Sequence, residues 1–173
     1  MTLAASFAHA LIPPPRPDPI EWARALDIPP RESASSPGPY NPEPYQAEII
    51  RAIADPAVRD VTGCIGTQGG KTLSFTLGLL YLLDADPGNT LIGTATLDMA
   101  KSIGRERIHS IVDANACLSR HKPADPDQFK VLEMAFDRAT WIITGTQSEK
   151  GLISRPCAYT WIDEAQQIGR AHV

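Results

Sequence analysis

Seven residues, GTQGGKT at 66–72, constrain the fold more than any other part of the chain. They stand between a run that reads as a strand, VRDVTGCI at 58–65, and a strongly apolar run that reads as a helix, KTLSFTLGLLYLLDAD at 71–86. A glycine-rich turn between a strand and a helix is the context a phosphate-binding loop requires. Glycines let backbone N–H groups curl around phosphate oxygens, and the following helix N-terminus adds partial positive charge. Gly66, Thr67, Gln68, Gly69 and Gly70 would form the cradle, with Lys71 neutralising the β- and γ-phosphates and Thr72 setting its hydroxyl on Mg2+. The strict spacing GxxxxGK[ST] wants a glycine at 65, where this chain has Ile65, so its first glycine comes one residue late.

The second chemical signal is YTWID followed by Glu164, an apolar run that ends in two adjacent carboxylates. In a strand of an open α/β sheet, that end is where ligands bind. Asp163 would hold Mg2+ through a water and Glu164 would polarise the attacking water as general base. An acidic pair after an apolar run is a weak signal alone. About 90 residues downstream of a GKT loop it points, with the loop, to a nucleotide hydrolase that uses Mg2+.

The rest of the chain supplies a scaffold of the matching kind. Residues 45–55, YQAEIIRAIAD, read as an amphipathic helix, and TLIGTAT at 90–96 as a short buried strand. LDMAKSIGRERIHSIVDANACL at 97–118 reads as a second amphipathic helix, with Thr96 or Asp98 available as its N-cap. FKVLEMAF at 129–136, TWIITGT at 140–146 and AYTWIDEA at 158–165 read as strands, separated by polar loops at 119–128 and 147–157. Strands alternating with helices predict a P-loop α/β domain with a mainly parallel central sheet flanked by helices. Before it, eleven of the sixteen prolines fall between Pro13 and Pro44. Proline lacks the N–H that helices and ladders need. This Pro-rich arm, 1–44, is expected to be mostly irregular with one short helix around Trp22, either a disordered leader or an arm that docks on a partner subunit. The ATPase domain is expected over 45–167.

Composition enters as exclusion. With 43% hydrophobic and 21% charged residues, 173 residues suit one globular domain. A net charge of −4 gives no overall basic footprint for nucleic acid, though a local patch would suffice. Three cysteines without CxxC spacing argue against a disulfide framework or zinc site and for a reducing compartment. The start lacks a basic leader and breaks at three prolines, which reads as neither a signal peptide nor a membrane span.

These residues resemble the lambda-type (GpA-like) large subunits of phage terminase, from about Glu21 to Gln167. The likeness rests on PYQAEIIRAIADPAVRDV before the loop, GTQGGKT itself, TLDMAKSIGRERI, and TGTQSEKGLISRPCAYTWIDEA. GLISRP, a few residues before the acids, is its most specific piece. Many GpA-like members carry the loop lysine early and lack GKT; here Ile65 holds the early place and Lys71 the usual one. The resemblance implies an ATP-driven translocase that packages double-stranded viral DNA into a procapsid. It would work as a homo-oligomer on the portal protein with a small terminase subunit, in the host cytoplasm and away from membranes. Relatives also carry a C-terminal endonuclease, for which no residue here could serve. The alternatives are the first motor domain of a superfamily-two helicase, which DEAQ and PYQ also suit, or an inactive fragment.

Several secondary residues carry weaker signals. Gln46 in PYQ is of the type that reads adenine, since an amide can bond N6 and N7, though a solvated glutamine at a helix start is a close rival. Tyr45 could stack on a base or pack in the core. Gln68 would turn its amide toward the γ-phosphate or stay on the surface. Arg155 would sense the γ-phosphate, or pair with Glu149. Lys101, Arg105 and Arg107 would touch a DNA backbone, or more simply form a solvated face. His109 and His121 read as surface residues. The last six residues, IGRAHV at 168–173, look like a non-native tail.

Overall fold

The computed structural model describes residues 16–29, 38–66, 68–146 and 156–164. Helix α1 (Pro19–Arg24) starts at Asp18, whose carboxylate accepts from the amides of Ile20 and Glu21. A two-stranded antiparallel ribbon, β1 (Asp27–Ile28) with β2 (Gly38–Pro39), leads to α2 (Pro44–Ala54) and α3 (Lys71–Ala85). Strand β3 (Thr90–Thr94) precedes α4 (Leu97–Ser102), which runs through a π-helical stretch (Ile103–His109) into α5 (Ser110–Ala114). Helix α6 (Ala116–Ser119), a 3-10 turn (Pro126–Gln128), β4 (Glu133–Ala135), β5 (Thr140–Gly145) and β6 (Tyr159–Ile162) complete the described elements.

The sheet order is β4-β5-β3-β6. β3 runs parallel to β5 and to β6, with Thr90 opposite both Trp141 and Tyr159. All five residues of β3 are buried, as befits a central strand covered on both faces. β4 is antiparallel to β5, so the sheet is mixed: among the described strands two of the three pairings are parallel and the β4–β5 pairing is not. The reason is connection length: β4 and β5 are joined by a tight turn in which Phe136 donates to Ala139, far too short for the crossover that parallel neighbours need.

Helix α3 forms the core's spine. Residues 73–83 are all buried, which is why its sequence is apolar on every side and has no polar stripe. The hydroxyls of Ser74 and Thr76 are absorbed within the helix, donating to Gly70 O and Thr72 O four residues back. Ile20, Trp22 and Leu26 of the N-terminal segment belong to the same hydrophobic cluster as α2 and α3. The short helix expected around Trp22 is therefore present and packed: Trp22 meets Tyr81 edge-on at 5.5 Å, and Tyr81 Oη donates to Pro17 O.

Three expected elements differ. Residues 58–65 are extended but form no strand; no backbone hydrogen bond reaches 59–65 among the described residues. Their period of two survives as half-burial of Val61, Gly63 and Ile65, because a pattern can be satisfied by packing alone whereas a strand needs a ladder partner. The expected strand 129–136 shrinks to β4, since Phe129 folds back in an isolated bridge with Met134 and Lys130 donates to Glu133 O. The expected helix 97–118 starts at Thr96, whose hydroxyl accepts from Met99 N at 3.2 Å. It then passes through the π stretch and breaks at Asn115. There the side-chain amide accepts from Asp27 N (2.8 Å) and donates to Asp27 O (3.0 Å) and to Ile111 O (2.8 Å). The break thus ties the helix to β1.

His121 also corrects an expectation. It is buried, not on the surface, and lies between Asp84 (3.2 Å) and Asp137 (2.9 Å). His109 is half-buried against Phe129, and burial pushes its pKa down despite the contact with Lys130 O. Residues 165–173, with the expected tail, lie outside the described residues, and among those described no helix is long and apolar enough to cross a membrane.

Candidate active site

The loop that opens α3 is built by three backbone choices. Gly69 N donates to Gly66 O at 3.3 Å, closing a turn in which Gln68 stands at φ +64°. Gly70 follows at φ +71° and is the N-cap of α3. That left-handed conformation is cheap for glycine and costs about 1–2 kcal/mol for other residues. Steric limits agree: a Cβ on Gly69 would sit 2.5 Å from Ile65 Cγ2, and one on Gly70 would sit 2.3 Å from Gln46 Nε2. At Gly66 a Cβ would meet nothing within 4 Å, so the first glycine is the dispensable one in this conformation. Ile65, in the place of the motif's usual glycine, packs its side chain against the loop.

Across the gap, β6 delivers its acids. Asp163 N donates to Gly93 O at 2.9 Å, extending the parallel pairing one residue beyond the strand and fixing where Asp163 sits. Asp163 is buried, and its two carboxylate oxygens face the side chains of Lys71 and Thr72. Lys71 Nζ lies 3.4 Å from Oδ1, and Thr72 Oγ1 donates to Oδ2 at 3.4 Å. Residues separated by more than ninety positions thus meet because α3 starts and β6 ends at the same side of the sheet. Glu164 turns out of the strand at φ +54°, a left-handed conformation that a glutamate rarely holds and that is found at functional sites more than elsewhere.

The donor set fits a hard cation. A threonine hydroxyl and a carboxylate supply oxygens, which is what Mg2+ takes when phosphate oxygens and water complete its octahedron. Among the described residues, no three His, Cys, Asp or Glu side chains cluster as a closed metal cage. A groove of about 890 Å³ runs from Lys71, Asp163 and Glu164 along Ile65, Gly63 and Phe75.

Gln46 and Tyr45 are close to the loop but are engaged with it. Gln46 Oε1 accepts from Glu43 N at 2.9 Å, while Nε2 donates to Gly69 O at 3.1 Å. Tyr45 Oη donates to the same oxygen at 2.9 Å, its ring otherwise 41% exposed and not in the core. Gln68 is exposed. Thr67, Glu149 and Arg155 lie outside the described residues. Lys101 pairs at 3.5 Å with Asp98, one turn earlier, on a solvated face; Arg105 is exposed, and Arg107 is partly buried. The sequence reading gave no hint of the grip on Gly69 O. The signal available for it was P-x-Q after Glu43, a capping-box spacing that brings a glutamine to the first helical turn.

No curated protein matches this chain. A family model does: the phage terminase large subunit gpA ATPase domain matches residues 34–172, which include the loop, Asp163 and Glu164. That is most of the sequence, and it agrees with the α/β fold and with the convergence of loop and acids, so the chain belongs to the family of ATPase domains of phage terminase large subunit gpA.

Proposed function

We propose that this domain hydrolyses MgATP to drive packaging of double-stranded phage DNA. The observation that carries the reading is the approach of Lys71 and Thr72 to the two oxygens of Asp163. Asp163 pairs with Lys71 across 3.4 Å. With a triphosphate present, Lys71 would turn to the β- and γ-phosphate oxygens, and the amides of 66–70 with the α3 N-terminus would hold the rest of the anion. Thr72 and Asp163 would hold Mg2+, which supplies charge neutralisation on the phosphate oxygens. Glu164, one residue beyond, would accept a proton from the attacking water. Arg155 would sense the γ-phosphate.

The family supports the wider setting. We place the ATPase on a portal protein at the procapsid in the host cytoplasm, as a homo-oligomer working with a small terminase subunit, away from membranes. The helicase alternative gains nothing from the family match.

The test is ATP binding and hydrolysis by the chain with and without Mg2+. Lys71→Ala weakens binding by about ten-fold or more, whereas Glu164→Gln keeps binding and lowers turnover by about 10²-fold or more. Hydrolysis by Glu164→Gln at the wild-type rate would contradict the assignment of the base.

A further inference from the structure

We infer that Tyr45 and Gln46 are positioning residues that lock one peptide plane of the phosphate loop, and that Gln46 is not a reader of the base. This rests on reading residues 66–72 as a phosphate loop. Both side chains donate to one acceptor, Gly69 O, at 2.9 and 3.1 Å. The described chain has no cis peptide, and in a trans peptide the C=O of one residue and the N–H of the next point in opposite directions. Holding Gly69 O against α2 therefore aims Gly70 N–H away from α2, and that side is the one we assign to a bound phosphate. The opposite plane would present a carbonyl oxygen to the phosphate and repel it. A Gly-Gly peptide has little intrinsic preference between the two orientations, so something outside the loop must choose.

The amide of Gln46 is oriented by its own partners. Glu43 N is a donor, so the atom 2.9 Å from it must be Oε1, and Nε2 is left to face Gly69 O. Tyr40 Oη adds a long contact to the same Oε1 at 3.5 Å. Reading adenine through N6 and N7 needs that oxygen and an N–H together, but Glu43 N and Tyr40 Oη already use the oxygen's two lone pairs and Gly69 O takes one N–H. The close fit at Gly70, where a Cβ would sit 2.3 Å from Gln46 Nε2, shows how directly α2 bears on the loop.

Two conservative variants separate the role from simple folding. Tyr45→Phe removes one donor and leaves the capping box intact. Gln46→Glu keeps an acceptor for Glu43 N but turns a carboxylate oxygen toward Gly69 O. The measurements are the Kd values for MgATP, MgGTP and inorganic tripolyphosphate, and the ligand-free amide NMR signal of Gly70. Tyr45→Phe should weaken all three ligands by a common factor of about two- to ten-fold, and Gln46→Glu by about ten-fold or more. The Gly70 signal should shift or broaden in both. Loss confined to MgATP would overturn the inference in favour of base reading, and an unchanged Gly70 signal would overturn it outright. Should the wild type bind none of the three ligands, the phosphate-loop reading fails, while the Gly70 signal still decides whether the peptide is clamped.

Discussion

Replacing Asp84 by alanine should detach the N-terminal helix from the body of the domain. Asp84 is near the end of α3 and accepts from Trp22 Nε1 at 3.0 Å, from His121 Nε2 at 3.2 Å, and from Arg120. The arginine is 61% exposed and adds at most about 1 kcal/mol. Trp22 and His121 are 9% and 3% exposed, and each donor stranded without its acceptor costs about 1–3 kcal/mol. The total is about 2–7 kcal/mol, a large part of the 5–15 kcal/mol typical of a domain. At about 2–4 °C per kcal/mol, Tm should fall by roughly 10 °C. The pH dependence follows from the same contacts. Burial pushes the Asp84 carboxyl up, but hydrogen bonds from His121, Arg120 and Trp22 together outweigh it and leave its pKa below the usual value. A folded pKa below the unfolded one means the stabilisation is complete above about pH 4 and is lost as the pH falls through the depressed value. Thermal melts followed by circular dichroism across pH 2 to 7 read both effects: Asp84→Ala melts lower at pH 7 and loses less on acidification than wild type. A variant melting within about 2 °C of wild type, with the same acid limb, would show that Asp84 anchors nothing.

Other consequences are simpler to read. Gly70→Ala should cost about 1–2 kcal/mol from backbone strain alone, plus the clash with Gln46, whereas Gly66→Ala should change stability by less than about 0.5 kcal/mol; denaturant melts compare them. Leu80→Ala, which truncates a fully buried side chain of α3, should cost about 2–5 kcal/mol by the same assay. Asn115→Ala leaves Asp27 N and Asp27 O unpaired and should raise amide exchange at Asp27 selectively, with a stability loss of about 1–3 kcal/mol. The imidazole of His109 should titrate by NMR below its ordinary value, because burial disfavours its charged form.

What the sequence disclosed about the fold was what short-range chemistry determines. Lys71 opening an apolar run announced α3, and the positions of Thr96 and Asp163 announced a helix start and a strand end. The meeting of the candidate residues was legible for the same reason: GKT and an acidic pair are local patterns, and parallel topology brings Lys71 and Thr72 to Asp163. What it withheld depends on partners remote in the chain. Residues 58–65 keep a strand's period without a ladder because nothing described pairs with them. Asn115 breaks a helix to reach Asp27, and His121 looked like a surface residue because Asp84 and Asp137 are 37 and 16 positions away. Gln46 was visible as a residue type, but whether its amide faced a base or a glycine carbonyl required the Glu43 contact to be seen.

Calorimetric titration of the chain with ATP at increasing Mg2+ probes most directly whether loop and acids serve one triphosphate. Wild type should bind MgATP more tightly than ATP alone; Lys71→Ala should lose at least about ten-fold in affinity, and Asp163→Asn should lose the dependence on Mg2+. Equal affinity and equal Mg2+ dependence in all three proteins would mean that Lys71 and Asp163 meet only as an ion pair, and that the nucleotide, if bound, sits elsewhere.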